Sequence, residues 1–201
     1  MSSHAGPFEL YVPQLVREWA ADGAESASLH RSLPGTLVFA DVSGFTKISE
    51  RLAKRGKVGA ESIVEVIEAC FTRLLDVADS AGGTLIQFGG DAVLLFFRGA
   101  GHELRAAAAA LEMRRTIRSL GAMTRAVAGV QLSLTVGVHT GDFDWFLVGR
   151  SHRQLVLGGA AASQLVTLED AAERGQILCG PSTAAAIEAA AAPRGSMPAV
   201  A

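Results

Sequence analysis

The chain is expected to fold as an α+β domain with one mixed sheet and helices packed mainly on one face. Three observations predict this. Gln131 to His139 alternates apolar residues (Leu132, Leu134, Val136, Val138) with small or polar ones (Ser133, Thr135, Gly137), the period of a half-buried strand. Val58 to Ala78 carries Ile63, Val66, Ile67, Cys70, Phe71, Leu74, Leu75 and Ala78 at helical spacing, a core-facing stripe about five turns long. The order of segments is strand, helix, helix, hairpin, helix, strand, strand pair, helix, strand, which suits a single sheet with helical crossovers.

Along the chain, Leu10, Val12, Leu15, Val16 and Trp19 mark a short amphipathic helix that covers a sheet edge, and Asp22 to Pro34 reads as a polar loop. Thr36 to Asp41 is a buried strand. Ser43-Gly44 breaks it, and Phe45, Ile48 and Leu52 take up helical spacing. Arg55-Gly56 separates this helix from the long one, which Gly82-Gly83 ends. Leu85 to Phe88 and Ala92 to Phe97 form a hairpin through Gly89-Gly90-Asp91. Glu103 to Leu120 is an Ala-rich helix, with Leu111, Ile117 and Leu120 inward and Arg114, Arg115 and Arg118 on a solvated face. After Gln131–His139, strands are expected at Asp142–Val148 and Gln154–Leu157 around the polar turn 149–153. A helix follows at Ala160–Ala172 with Leu165, Val166 and Leu168 on its apolar side. Gln176 to Cys179 is a last short strand, and Pro181 opens a final helix. The expected organisation is a lead-in at 1–35, one domain at 36–192 and a flexible tail at 193–201.

Composition narrows the function classes. With 201 residues, 49% of them hydrophobic, the chain has ample material for one core. A formal net charge of −2 leaves no electrostatic footprint for nucleic acid. Cys70 and Cys179 sit in apolar contexts without metal-ligand spacing and read as core thiols. There is no stretch of eighteen apolar residues and no basic start followed by an apolar centre. The expectation is therefore no membrane span, no secretory signal and a cytoplasmic location.

Two phrases carry the chemistry. In Phe39-Ala40-Asp41-Val42-Ser43-Gly44-Phe45-Thr46, Asp41 ends a strand just before a helix N-terminus, whose free N–H groups suit a phosphate. In Gly89-Gly90-Asp91-Ala92, a second carboxylate sits at a hairpin tip. Either Asp alone is most often a solvated turn residue. Brought together, two carboxylates about 4 Å apart repel by roughly 1 kcal/mol in water and several-fold more at an effective dielectric near 20, and a bound cation removes that penalty.

The phrase Asp41 to Thr46, followed some fifty residues later by Phe88-Gly89-Gly90-Asp91-Ala92, resembles the catalytic domain of class III nucleotide cyclases. Leu85 to Leu95 is similar to the first cyclase domain of the soluble adenylyl cyclase-like branch, and Gly137-Val138-His139-Thr140-Gly141 matches a third family phrase. The resemblance covers about residues 36 to 182. It implies a ferredoxin-like core and an adenylate cyclase reaction, ATP to cyclic AMP and pyrophosphate. By the same resemblance, Asp41 and Asp91 are the catalytic, metal-bridging carboxylates for two Mg²⁺ (or Mn²⁺) ions, with the Val42 carbonyl as a further ligand. The backbone of Ser43, Gly44, Phe45 and Thr46, with Gly90, would hold the phosphates of ATP or another nucleoside triphosphate.

The family builds its site between two cyclase domains, and the second set of residues is missing here. Gln87 stands at the place of a base-reading Lys, Leu155 at that of an acidic residue, and Ala162 and Val166 at those of a ribose-orienting Asn and a charge-stabilising Arg. No Asn occurs in the chain, and its three lysines (Lys47, Lys54, Lys57) all precede the hairpin. Gln87, Arg150 and Arg153 have polar groups that could reach a ligand, but a strand Gln is more often structural and arginines in a polar turn are more often solvated. His139 reads as a structural histidine at a strand end. The expectation is an enzyme half completed by a second cyclase-type domain, in cis or in trans, or by a pseudo-symmetric homodimer, with little activity alone. The alternative is a catalytically degenerate cyclase-fold module for regulation or dimerisation, or a small-ligand sensor.

Overall fold

The computed structural model describes residues 12–21, 30–149 and 153–192. Its centre is a pair of long antiparallel strands, β1 (His30–Ser43) and β4 (Ser133–Val148), in register from His30 opposite Phe146 to Ser43 opposite Ser133. On the other edge of β1 lies β3 (Ala92–Phe97), antiparallel, and beyond it β2 (Gly83–Gly89). The far edge of β4 is divided between two partners. β5 (Gln154–Gly158) pairs antiparallel with its second half, and β6 (Ile177–Cys179) pairs parallel with Val136–Val138. The result is one mixed sheet, as the sequence predicted; it has six strands, in the order β2-β3-β1-β4-β5 with β6 beside β4.

Period-2 burial sorts the side chains to two faces. Val38, Ala40, Val42, Val93, Leu95, Phe97, Leu134, Val136 and Val138 point to one core. That core is closed by α2 (Phe45–Ala53), α3 (Lys57–Ser80) and α4 (His102–Ala128). Leu37, Leu94, Phe96, Phe143 and Trp145 point to the other, under α1 (Gln14–Ala21) and α5 (Ala160–Ala171). The lead-in helix docks through Leu15 and Trp19, both 2% exposed, with Arg31 over the Trp19 ring and an Arg98–Glu18 ion pair at 2.8 Å. The last helix, α6 (Pro181–Ala191), opens on its proline as expected.

Several expectations are corrected. His30 to Pro34 is strand, not loop, because it pairs with Asp142–Phe146. Pro34 is tolerated there since β3 reaches only to Thr36 on that edge, leaving no partner for a missing N–H. Thr140-Gly141 does not break β4, so the two strands expected at Gln131–His139 and Asp142–Val148 are one, with His139 in mid-strand. Hydroxyl contacts hold that stretch: Thr140 Oγ1 lies 2.7 Å from Thr36 Oγ1 and 2.8 Å from Thr183 Oγ1. In α4, Leu111 is exposed and Met113 is buried in its place; the helix runs on to Ala128 and is closed by Gly129 at φ 65°. Val166 of α5 is also exposed. Leu10, residues 22–29 of the expected loop, the centre of the polar turn (Arg150 included) and the tail 193–201 lie outside the described residues. No described helix is long and apolar enough to cross a membrane.

Candidate functional site

Strand pairing puts Asp41 opposite Ala92 on one side and Thr135 on the other, so the last turn of β1 lies beside the tip of the β2–β3 hairpin. Gly90 takes φ 70° to make that tip, a conformation costly for any residue with a side chain. The Val42 N–H then donates to the Asp91 carbonyl at 3.1 Å and ties the tip to the strand end. The two aspartates singled out in the sequence thus meet. Burial pushes the Asp41 carboxyl above its ordinary value, and the charge of Asp91 with a shared side-chain hydrogen bond adds to it. Neither carboxylate forms an ion pair with a basic side chain among the described residues.

Immediately after Asp41 the chain turns. Gly44 has φ 117°, and a Cβ there would stand 3.3 Å from both the Gln131 carbonyl oxygen and Leu132 Cδ2. The turn launches α2, which has no side-chain N-cap, so its first N–H groups are left for a ligand or water. Phe45 is anchored in the core and stacks on Phe71 at 5.8 Å, leaving only its backbone to face a ligand. The Ser43 hydroxyl is engaged 3.1 Å from Ser133 Oγ. Thr46 is exposed.

A third carboxylate escaped the sequence reading. Glu169 of α5 is shifted upward by burial first and then by the charges of Asp41 and Asp170. What admits it is Gly137, where a Cβ would meet the Glu169 backbone nitrogen and the Leu165 carbonyl at 3.1 Å. A glycine in the middle of an otherwise alternating strand was the available signal for such a close crossing. His139 is buried in β4, with Nδ1 unpartnered. Its burial lowers the imidazole pKa, and a hydrogen bond with Gln164 partly opposes that shift. Cys70 is a buried free thiol, pushed up to about 12 by burial, and Cys179 is a partly buried one.

On the α1/α5 face, Gln87, Leu155, Ala162 and Val166 line a single cavity of about 530 Å³ with Phe39, Leu94 and Ser163. A β-bulge between Leu85 and Gln87 brings Gln87 there: the extra residue breaks the alternation of β2 and turns the amide to the same face as Ile86. The four positions expected to hold the second set of cyclase residues therefore do converge, and what they offer is one amide and three apolar side chains. Arg153 is exposed on the adjoining turn.

A mixed sheet with paired aspartates at the end of its central strand, a bare helix N-terminus beside them and a second cavity across the sheet defines a class III nucleotide cyclase catalytic domain. The family model described as the adenylate and guanylate cyclase catalytic domain matches residues 30–197, and the chain belongs to that family. It is 22% identical over 152 residues to adenylate cyclase type 10 of Homo sapiens and 28% identical over 151 residues to adenylate cyclase 1 of Rhizobium meliloti. These alignments span 74% and 73% of this chain but only 9% and 22% of the two relatives. Among solved structures, the adenylyl cyclase CyaB from P. aeruginosa superposes with a TM-score of 0.69 at 26% identity, covering 80% of this chain and 83% of that one. The guanylyl cyclase Cya2 superposes with a TM-score of 0.65, also at 26% identity, covering 80% of each.

Proposed function

We propose that this domain supplies the metal- and phosphate-binding half of a nucleotidyl cyclase site, with ATP as substrate, and that a second cyclase-type domain of different sequence supplies the rest. The observation that carries this reading is the meeting of Asp41 and Asp91. Two carboxylates forced together without a basic partner are an unfavourable arrangement that a divalent cation relieves. Among the described residues no group of three or more His, Cys, Asp or Glu side chains is spaced to hold a metal. The donors would then be the two carboxylates, the Val42 carbonyl and water, hard oxygens that suit Mg²⁺ or Mn²⁺. When bound, two such ions ease loss of the ribose 3′-hydroxyl proton and neutralise charge on the departing pyrophosphate.

The chain's own groups do the positioning. The N–H groups at the Gly44–Thr46 turn, with Gly90 of the facing tip, hold phosphate oxygens, and the helix N-terminus favours their charge. In-line geometry then lets the O3′–Pα bond form as the bond from Pα to the pyrophosphate oxygen breaks. Held this way the triphosphate still lacks a base reader, a ribose contact and a cation at the α-phosphate, which is why the isolated chain is expected to be nearly inactive. A symmetric homodimer would set Asp41 and Asp91 against Gln87, Leu155, Ala162 and Val166, side chains without a cation. Such a pairing favours a complementary domain over a second copy. Handling nucleoside triphosphates, the domain would work in the cytoplasm.

One feature favours a second reading. The apolar lining of the 530 Å³ cavity suits a small organic ligand better than a triphosphate, as expected of a regulatory module. Reconstitution separates the two. The chain is mixed with a cyclase domain that carries Lys, an acidic residue, Asn and Arg at the complementary positions. Cyclic nucleotide formation from ATP and from GTP is then followed with Mg²⁺ or Mn²⁺. Activity that appears in the mixture and falls at least about 10²-fold with Asp41→Ala or Asp91→Ala is expected. An active pair indifferent to both substitutions overturns the metal assignment, and a stable but inactive complex with every nucleoside triphosphate makes this a regulatory module.

A further inference from the structure

A groove of about 320 Å³ lies between α4, the start of β4 and the turn between α5 and β6. Three arginines line it: Arg114 and Arg118, one helical turn apart on α4, and Arg174 from the turn. No acidic side chain lines it; the other lining residues are Gln131, Leu132, Ser133, Leu134 and Gly175. The expectation that Arg114 belongs to a solvated face fails, because its Nε is buried and has no hydrogen-bond partner. Arg114 and Arg118 form no hydrogen bond or ion pair among the described residues. Arg174, by contrast, is fixed in place: its Nε donates to Ser133 Oγ at 2.5 Å and its Nη2 to the Gln131 carbonyl at 2.8 Å. Arg125 donates to the Gln131 side-chain carbonyl beside it.

This arrangement is costly when empty. Like charges one helical turn apart repel, and a buried guanidinium nitrogen without an acceptor forfeits its hydration. The planar donor forks of arginine match a tetrahedral oxyanion, and three of them around one groove supply more positive charge than any side chain there neutralises. The groove has room for such an ion and several waters, each needing about 30 Å³. We propose that the groove formed by Arg114, Arg118 and Arg174 is a binding site for a phosphate-class oxyanion, either a free phosphate or the phosphoryl group of a modified side chain. Its three arginines belong neither to the Asp41–Asp91 pair nor to the Gly44–Thr46 turn, although Ser133 of its lining touches the Ser43 hydroxyl, and the proposal does not depend on the cyclase reading.

The test uses the full 201-residue chain in EDTA, with inorganic phosphate and O-phosphoserine titrated separately by calorimetry and by thermal unfolding. Chloride at matched ionic strength serves as the baseline. Saturable binding of one phosphate per chain is expected, with a melting temperature raised above the chloride baseline. Arg114→Gln or Arg118→Gln should weaken it by about tenfold or more, the loss expected for one charge-assisted hydrogen bond. Tighter binding of phosphate identifies a free ion as the ligand, and tighter binding of O-phosphoserine identifies a modified side chain; either result supports the site. Binding that survives the Arg114→Gln/Arg118→Gln double substitution overturns it. Should the double variant not fold, the native chain decides alone: equal melting temperatures in phosphate and chloride overturn the site.

Discussion

Replacing Asp41 by Asn tests the central electrostatic claim without any enzyme assay. Asp41 is half-buried and shares a hydrogen bond with Asp91, so in the metal-free protein it is held charged only against desolvation and against its neighbour. Two unit charges about 4 Å apart cost roughly 1 kcal/mol in water and about 4 kcal/mol at an effective dielectric of 20. Asp91 is exposed, which screens the pair toward the lower figure, so removing one charge should stabilise the fold by about 1–2 kcal/mol. For a domain of this size that is a rise of about 2–8 °C in Tm. Because the folded value lies above the ordinary 3.8, the folded chain binds this proton more tightly than the unfolded one. The contribution of this group to stability is therefore present at low pH and lost as pH rises through the folded value. The gap between native protein and variant should open as pH climbs above about 4 and close below it. The assay is thermal unfolding across pH in EDTA, then with Mg²⁺. The native protein should gain about 1.4 kcal/mol when Mg²⁺ is at ten times its Kd, and the variant should gain far less. A variant less stable than the native protein in EDTA at neutral pH would refute the reasoning, since the pair would then be held together by something other than a missing cation.

Four further substitutions probe the scaffold. Gly44→Ala forces a side chain into φ 117° against the Gln131–Leu132 backbone and should cost about 1–2 kcal/mol, read from urea unfolding. Thr140→Val leaves the buried Thr183 hydroxyl without its partner and should cost about 1–3 kcal/mol in the same assay, while Thr36 keeps its bond to His102 Nδ1. Trp19→Ala should cost about 3–5 kcal/mol, because the ring is 2% exposed on the α1 face of the sheet. Glu18→Ala, breaking a half-exposed ion pair one residue away, should cost no more than about 1 kcal/mol, and equal effects would mean that α1 is held by charge rather than by packing.

Much of this molecule was legible in one dimension because the information is local. The alternation of Leu132 to Val138, the helical stripe of α3 and the glycine punctuation at Gly44, Gly82 and Gly90 follow from side-chain period and backbone freedom, which neighbouring residues set. The two aspartate phrases were likewise readable, since a carboxylate at a strand end or hairpin tip needs no distant partner to be recognised. Other features depended on contacts across the chain. Whether Thr140-Gly141 ends a strand was decided by Thr36 and Thr183, residues over forty positions away that satisfy its hydroxyl. The facing of Gln87 was decided by a bulge whose extra residue shows only in the register against β3. Glu169 came within range of the Asp41 charge because Gly137 left space for a helix that starts more than twenty residues later. Arg114 looked solvated from helical spacing alone, whereas its Nε is buried and it shares a groove with Arg174 of a turn sixty residues on. The sequence by itself determined the elements and the chemical character of the carboxylate pair. The tertiary structure decided which side chains share a cavity, because cavities are made by segments whose separation along the chain leaves no trace in any local period.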